Sequence, residues 1–203
     1  LVLDARAKGL SANIIRVGSL TNRYSSGIGQ PNHIESTWIH QLQALLPSGM
    51  IPKSLLNLPI ELSPVDYTAD AILKIVTHLS TEYSVFHVLN PQVVHLADIY
   101  PLLQEQIKMP PIVKDAEFIR HLNHVSNDSL ERNPYLHHLK NAVEKGKLAK
   151  PFAIQIDCQF TLTFLQSVNF QWPRIDQKYL KKYLHNWIQN GYFDTTLLNS
   201  TER

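Results

Sequence analysis

Hydrophobic positions recur along this chain at two spacings. Ala12-Asn13-Ile14-Ile15-Arg16-Val17-Gly18 is a short β-branched run, and Val85-Phe86-His87-Val88-Leu89 is a second, ended by Asn90-Pro91. Both predict strands, the second of a buried type. Elsewhere apolar residues fall three or four apart, which is the spacing of a helix with one buried face. Leu1, Val2 and Ala5, with late Arg6 and Lys8 and a stop at Gly9, predict the last turns of a helix. Trp38, Ile39, Leu42, Leu45 and Leu46 predict a helix over 36–46. The loop over 19–30 carries Ser25-Ser26, Gly27 and Gly29, and 47–59 is interrupted by Pro47, Gly49, Pro52 and Pro59.

The clearest helix signal begins at Ser63-Pro64-Val65-Asp66. Ser63 suits an N-cap, Pro64 the first helical position, and Asp66 completes a Ser-x-x-Asp capping box. Ala71, Ile72, Ile75, Val76 and Leu79 then supply the apolar face. Residues 1–90 thus read helix, strand, excursion, helix, strand, the rhythm of a parallel α/β sheet. After Asn90 the pattern becomes mainly helical, with helices expected over 96–108, 116–125, 135–147, 161–168 and 177–190. Extended runs are expected near 112–113 and 153–156. The expected fold class is α/β: the C-terminal part of a doubly wound sheet over 1–90, and a mainly helical subdomain over 91–203.

Composition narrows the possibilities. The chain has 203 residues, 44% hydrophobic and 18% charged, which suffices for a packed core. The net charge of +2 and the pI of about 8.6 are too mild to argue for nucleic acid or a membrane surface. No apolar run reaches the roughly 18 residues of a membrane span. Cys158 is the single cysteine, so an internal disulfide and the multi-cysteine zinc patterns are excluded. A reducing cytoplasm is the simplest compartment. The chain opens inside a helix pattern without a methionine, and a piece of a longer protein is the expectation.

Much of the chemical information lies in what the sequence lacks. It contains no Gly-x-Gly-x-x-Gly or Gly-x-x-Gly-x-x-Gly turn to hold a dinucleotide phosphate, no P-loop and no Gly-x-Ser-x-Gly elbow. It also has no Tyr-x-x-x-Lys pair; Tyr179 is followed four places on by Tyr183, and Tyr67 by Ala71. Ten histidines raise a metal site, with His121 and His124 one turn apart and His137-His138 adjacent. No His-Glu-x-x-His or framing carboxylates accompany them, so surface or core histidines are expected, with His87 packed on its strand. Two basic stretches stand out: Arg174, Lys178, Lys181 and Lys182, and Lys145, Lys147 and Lys150. Each is either a solvated helix face or a docking surface for an acidic partner. Phe170, Trp172-Pro173 and Ile175 read as an apolar plug.

Three blocks carry a family resemblance. The first is Arg16-Val17-Gly18-Ser19-Leu20-Thr21-Asn22-Arg23-Tyr24-Ser25 with Gly29-Gln30-Pro31-Asn32. The second is Ser63-Pro64-Val65-Asp66-Tyr67, Ala69 and Ala71-Ile72, with Phe86-His87-Val88-Leu89-Asn90-Pro91. The third is the tail, with Thr161, Leu165, Asn169-Phe170-Gln171-Trp172-Pro173-Arg174-Ile175-Asp176 and Tyr179-Leu180-Lys181-Lys182-Tyr183. Together they resemble the thioester reductase domains that terminate nonribosomal peptide synthetases, which are extended short-chain dehydrogenases.

The resemblance implies NADPH as cofactor and, as partner, an acyl or peptidyl carrier protein whose phosphopantetheine arm presents a thioester for release as aldehyde or alcohol. It implies that Val17, Gly18, Ser19 and Leu20 lie beside the nicotinamide. Val17 stands where many relatives have proline, which leaves that loop less rigid. Gln30, Asn32, Pro64 and Tyr67 are the substrate-side residues it implies, with a capping role for Asp66. It assigns the catalytic tyrosine and lysine and the phosphate-binding turn to a further N-terminal half, so no catalytic residue is expected here and the chain alone is expected to be inactive. A docking module without redox chemistry, or part of another extended dehydrogenase of the fatty acyl or sugar-nucleotide type, are the alternatives.

Overall fold

The computed structural model describes residues 1–29, 42–43, 45–78, 85–141, 143–144, 147–148 and 156–192. In chain order its elements are α1 (Val2–Ala7), β1 (Ile14–Val17), β2 (Leu20–Thr21), β3 (Ile51–Pro52), β4 (Pro59–Glu61), β5 (Ser63–Pro64), α2 (Val65–His78), β6 (Val85–Val88) and β7 (Val93–His95). There follow α3 (Leu96–Gln106), β8 (Ile112–Val113), α4 (Asp115–His124), α5 (Asn127–Glu131), α6 (Pro134–Asn141), β9 (Val143–Glu144), β10 (Lys147–Leu148), α7 (Gln159–Ser167) and α8 (Gln177–Gln189). Short 3₁₀ turns occupy Leu46–Ser48 and Lys53–Asn57. The chain is α/β.

Two compact units result, and each is assembled from separated stretches. The first takes Leu1–Gln30, Glu61–Val93 and Ile154–Tyr183; the second takes Pro31–Ile60, Val94–Ala153 and Leu184–Arg203. Composition pointed instead to consecutive parts, 1–90 and 91–203. The difference has a physical source, because α7 and the start of α8 carry apolar residues that pack with the strands of the first stretch.

In the first unit β1 and β6 lie parallel, with Ile14 opposite Val85 and Val17 opposite Val88. Phe86 and Val88 point to one face and are fully buried with Ala71 and Ile75 of α2, Leu165 of α7 and Phe170. Ile15, Tyr67, Ile72, Phe164 and Trp172 close around this cluster. Phe170 and Trp172 meet edge to face at 5.3 Å, as the plug reading expected. The free edge of β6 is covered by α7: the His87 backbone N–H donates to the Thr161 hydroxyl at 2.9 Å, and Thr161 is buried. At the chain start α1 buries no residue and stops at Gly9, whose φ of 92° is left-handed. The N–H of Gly9 donates to the Arg6 carbonyl and that of Leu10 to the Ala5 carbonyl, a Schellman closure.

In the second unit β3 and β8 run parallel, with Ile51 opposite Ile112. Ile51, Ile99, Leu103, Phe118, Leu122 and Trp187 are among its most buried side chains. Its α4 matches the helix expected over 116–125 to within a residue, and α5 had no counterpart in the sequence reading. The helix expected over 135–147 is corrected: α6 ends at Asn141, and Val143–Glu144 pairs antiparallel with Lys147–Leu148. A β-branched valine shortly after Asn141, with a glycine three residues further along the sequence, favours extended pairing over another helical turn. The helix expected over 36–46 and the strand expected over 153–156 fall largely outside the described residues. Helix α8 matches its expected range, with Tyr179, Leu180, Tyr183, Leu184, Trp187 and Ile188 buried at helical spacing. Asp176 caps it, accepting from the Tyr179 N–H at 2.8 Å.

Candidate functional site

Ligands of parallel α/β sheets bind beyond the carboxyl ends of the strands. In the first unit those ends are Val17 and Val88, and two strands too short to predict lie just past them. β2 pairs parallel with β5, Leu20 opposite Ser63 and Thr21 opposite Pro64. The chain continues from β1 when the Gly18 N–H donates to the Val88 carbonyl at 3.0 Å, and it is fixed again when the Ser63 N–H donates to the Ser19 carbonyl at 3.0 Å. Val17 and Leu20 remain exposed there, at 45% and 41%. They present apolar surface at the carboxyl end of this strand pair.

This pairing corrects the capping box. Ser63 and Pro64 form β5, and α2 starts at Val65. Ser63 is fully buried; its hydroxyl donates to the Glu61 carboxylate and accepts from the Asn90 N–H at 2.9 Å. Asp66 does not reach back along its own helix to Ser63. It holds the 22–28 loop instead, accepting from the Tyr24 N–H at 2.9 Å and from the Ser25 N–H and hydroxyl at 3.3 and 3.2 Å. Burial works to raise the Asp66 pKa, but the hydrogen bonds from Tyr24, Ser25 and Tyr67 outweigh it and hold the carboxyl below its usual range. The capping chemistry expected of Asp66 is present; the backbone it caps is a loop 41 residues away in sequence.

A ladder of tyrosines holds the other side of this loop. Tyr24 stacks on Tyr179 at 5.1 Å and meets Tyr67 edge to face at 5.6 Å, and Tyr179 stacks on Tyr183 at 5.8 Å. The buried Tyr179 hydroxyl lies 2.7 Å from the Thr21 hydroxyl and donates to the Asn22 carbonyl at 2.9 Å. Burial pushes the Tyr179 phenol well above its usual range. Tyr179 is therefore a neutral anchor, unsuited to proton transfer near neutral pH. The Tyr24 phenol is also raised, by burial first and then by the charges of Asp176 and Tyr67; its hydroxyl donates to the Arg174 carbonyl at 3.1 Å.

Of the residues read as candidates, Val17, Gly18, Ser19, Leu20, Pro64 and Tyr67 all fall in this unit; Gln30 and Asn32 lie outside the described residues. Glu61, Tyr24 and Tyr179 carried no signal strong enough to select them. The i, i+4 spacing of Tyr179 and Tyr183 was the one clue. Among the described residues no group of His, Cys, Asp and Glu could hold a metal ion. His87 sits on its strand, and its buried Nδ1 has no hydrogen-bond partner. Cys158 is a free thiol raised by burial and by the Asp157 and Glu61 carboxylates, so it is a poor nucleophile. Of the basic stretch on α8, Lys178 and Lys181 are exposed, whereas the Lys182 ammonium donates to the Ser25 carbonyl at 3.0 Å.

Fold and geometry together define an α/β protein with a parallel strand pair and a tyrosine-braced loop beside the carboxyl ends of its strands. No protein-family pattern and no curated protein matches the sequence. Solved structures do match. A thiolation–reductase di-domain from an archaeal non-ribosomal peptide synthetase is 25% identical, with a TM-score of 0.77 over 95% of this chain and 39% of that one. The terminal R domain of the myxalamid PKS-NRPS pathway is 19% identical, with a TM-score of 0.68 over 96% of this chain and 48% of that one. The reductase domain of the aureusimine biosynthetic cluster is 23% identical, with a TM-score of 0.67 over 93% of this chain and 48% of that one. The fold is that of the terminal reductase domains of such synthetases, and this chain spans less than half the length of the structures it matches. Among the described residues no helix is long and apolar enough to cross a membrane.

Proposed function

We propose that this chain is the substrate- and carrier-facing part of an NAD(P)H-dependent thioester reductase, which releases a carrier-bound acyl or peptidyl group as an aldehyde or alcohol. The observation that carries this reading is the match over 95% of the chain to a thiolation–reductase di-domain, made by a sequence without a dinucleotide turn or a Tyr-x-x-x-Lys pair. In this reading the missing chemistry belongs to a companion portion of the domain, and the working compartment is the cytoplasm.

The residues fit one end of the cofactor only. Exposed Val17 and Leu20 suit the face of a planar ring, while nothing in the sequence suits its phosphates. When bound, NADPH supplies hydride to the thioester carbonyl. This chain's part is to orient and to exclude water. In this reading Val17 and Leu20 shield one side of the reacting groups and half-buried Tyr67 serves the acyl side, while Pro64, buried in β5, supports it from within. The Tyr24–Tyr179 stack holds the 22–28 loop in place. In this reading the proton is moved by the companion portion of the domain.

NADPH oxidation with a model acyl thioester tests the assignment, using the chain alone and the longer protein that carries it. The bare chain is expected to show none, and the longer protein steady turnover. Turnover by the bare chain would overturn the division of labour; none by a folded longer protein would favour a docking module.

Carrier binding gives a separate check. The exposed Lys178 on α8 is expected to attract an acidic carrier protein. Binding should weaken as salt rises from 0.05 to 0.5 M, screening surface charge over ever shorter distances. Lys178→Glu should weaken binding by about two- to fivefold at low salt. Affinity that ignores both salt and this substitution would remove Lys178 from the interface.

A further inference from the structure

Glu61 stands at the end of β4, in a proline-broken stretch that no sequence pattern singled out. Its half-buried carboxylate accepts hydrogen bonds from the Ser19 backbone N–H and the Ser63 hydroxyl. Through Ser63 it is joined to the Asn90 N–H, and through Ser19 to the exit of β1. The carboxylate also lies against Gly18: a Cβ built there would come within 2.6 Å of both of its oxygens. Gly18 does not need to be glycine for its backbone angles, which lie outside the left-handed region. A side chain at 18 would therefore require the Glu61 carboxylate to shift.

We infer that Glu61 is a positioning residue that fixes the Gly18–Ser19 turn and, in doing so, occupies the backbone donor at the carboxyl end of β1. Two consequences follow from the geometry. Gly18 and Glu61 are coupled, because a side chain at 18 requires the carboxylate to move from its place against the Ser19 N–H. The Ser19 N–H is also committed inside the protein, so an incoming carbonyl must displace Glu61 before it can use that donor. The strand-end site as it stands offers an acceptor, and the group it takes is one that brings an N–H donor or a positive charge. If the proposed reductase reading holds, this rule applies to the nicotinamide end of the cofactor, but the Gly18–Glu61 coupling does not depend on that reading.

Amide hydrogen exchange and thermal melting of this chain test the coupling without any cofactor. In Glu61→Ala the Ser19 amide should exchange about tenfold faster or more, as expected on losing a charged acceptor, while amides in the middle of α2 keep their protection. Glu61→Gln retains an acceptor oxygen and should restore most of the Ser19 protection. Gly18→Ala should lower the melting temperature and speed Ser19 exchange in the native background, yet add little to either in the Glu61→Ala background. An unchanged Ser19 amide in Glu61→Ala would overturn the inference, as would a Gly18→Ala effect that is equal in the two backgrounds. If Glu61→Ala fails to fold, Glu61→Gln with and without Gly18→Ala gives the same comparison. Failure of the reductase assay with coupling intact would remove the nucleotide reading and leave the positioning role standing.

Discussion

Phe86→Ala should leave this chain close to unfolding. Phe86 is fully buried in the core of the first unit, in one cluster with Ala71, Ile75, Leu165 and Phe170. Its ring also meets those of Phe160 and Phe164, each at 5.5 Å. Removing it loses the transfer free energy of the ring and leaves a cavity that three elements on different parts of the chain cannot jointly close. The expected cost is about 3–5 kcal/mol, against a total stability of about 5–15 kcal/mol. For a chain of this size the melting temperature should fall by about 6–20 °C. Phe86→Leu, which refills most of the volume, should recover more than half of the loss. A melting curve for Phe86→Ala within about 2 °C of the native one would mean that the β1–β6 sheet does not organise this unit.

Asp66 is the second sensitive point, and its effect depends on pH. Replacing it by alanine strands the Tyr24 and Ser25 donors and releases the 22–28 loop. Water replaces part of what is lost at exposed Ser25, so about 1.5–3 kcal/mol is expected at neutral pH. The folded carboxyl lies below its ordinary value, so ionised Asp66 favours the folded state. That contribution is complete above the unfolded pKa of about 3.9 and is lost as the pH falls through the lower folded value. Asp66→Asn keeps the shape without the charge. The stability gap between native protein and Asp66→Asn should be widest above about pH 5 and should narrow steadily below about pH 4. Denaturant titrations at a series of pH values measure this directly. A gap that stays constant down to pH 2 would show that the carboxylate charge does not hold the loop.

Both sites show what the chain's pattern makes legible. The β-branched run at 14–17 and the buried-type apolar run at 85–88 located the two strands, and their parallel pairing was implied by the helix between them. The 3.6-residue stripes of α2, α4, α7 and α8 located the helices to within a residue or two. What stayed hidden depends on partners far apart in sequence. Ser63-Pro64 reads as a helix start, because its local chemistry fits an N-cap, but β2 offers a ladder 43 residues earlier and the backbone takes it. Glu61 has no local pattern, since its partners are a backbone amide 42 residues away and a neighbouring hydroxyl. Tyr179 reads as one more apolar position of a helix; its role as an anchor appears only when Thr21 and Asn22 are brought to it. The tail residues 161–183 read as part of a separate helical subdomain, since helices carry no sequence mark of the sheet they cover.

The hydroxyl of Thr161 gives the sheet a direction of growth. On one flank the His87 amide is already committed to that side chain, so a further strand cannot be added there without breaking the bond and moving α7. Among the described residues β1 has no second strand beside it. The two-stranded sheet, among the described residues, is thus capped along β6 and left without a neighbouring strand along β1.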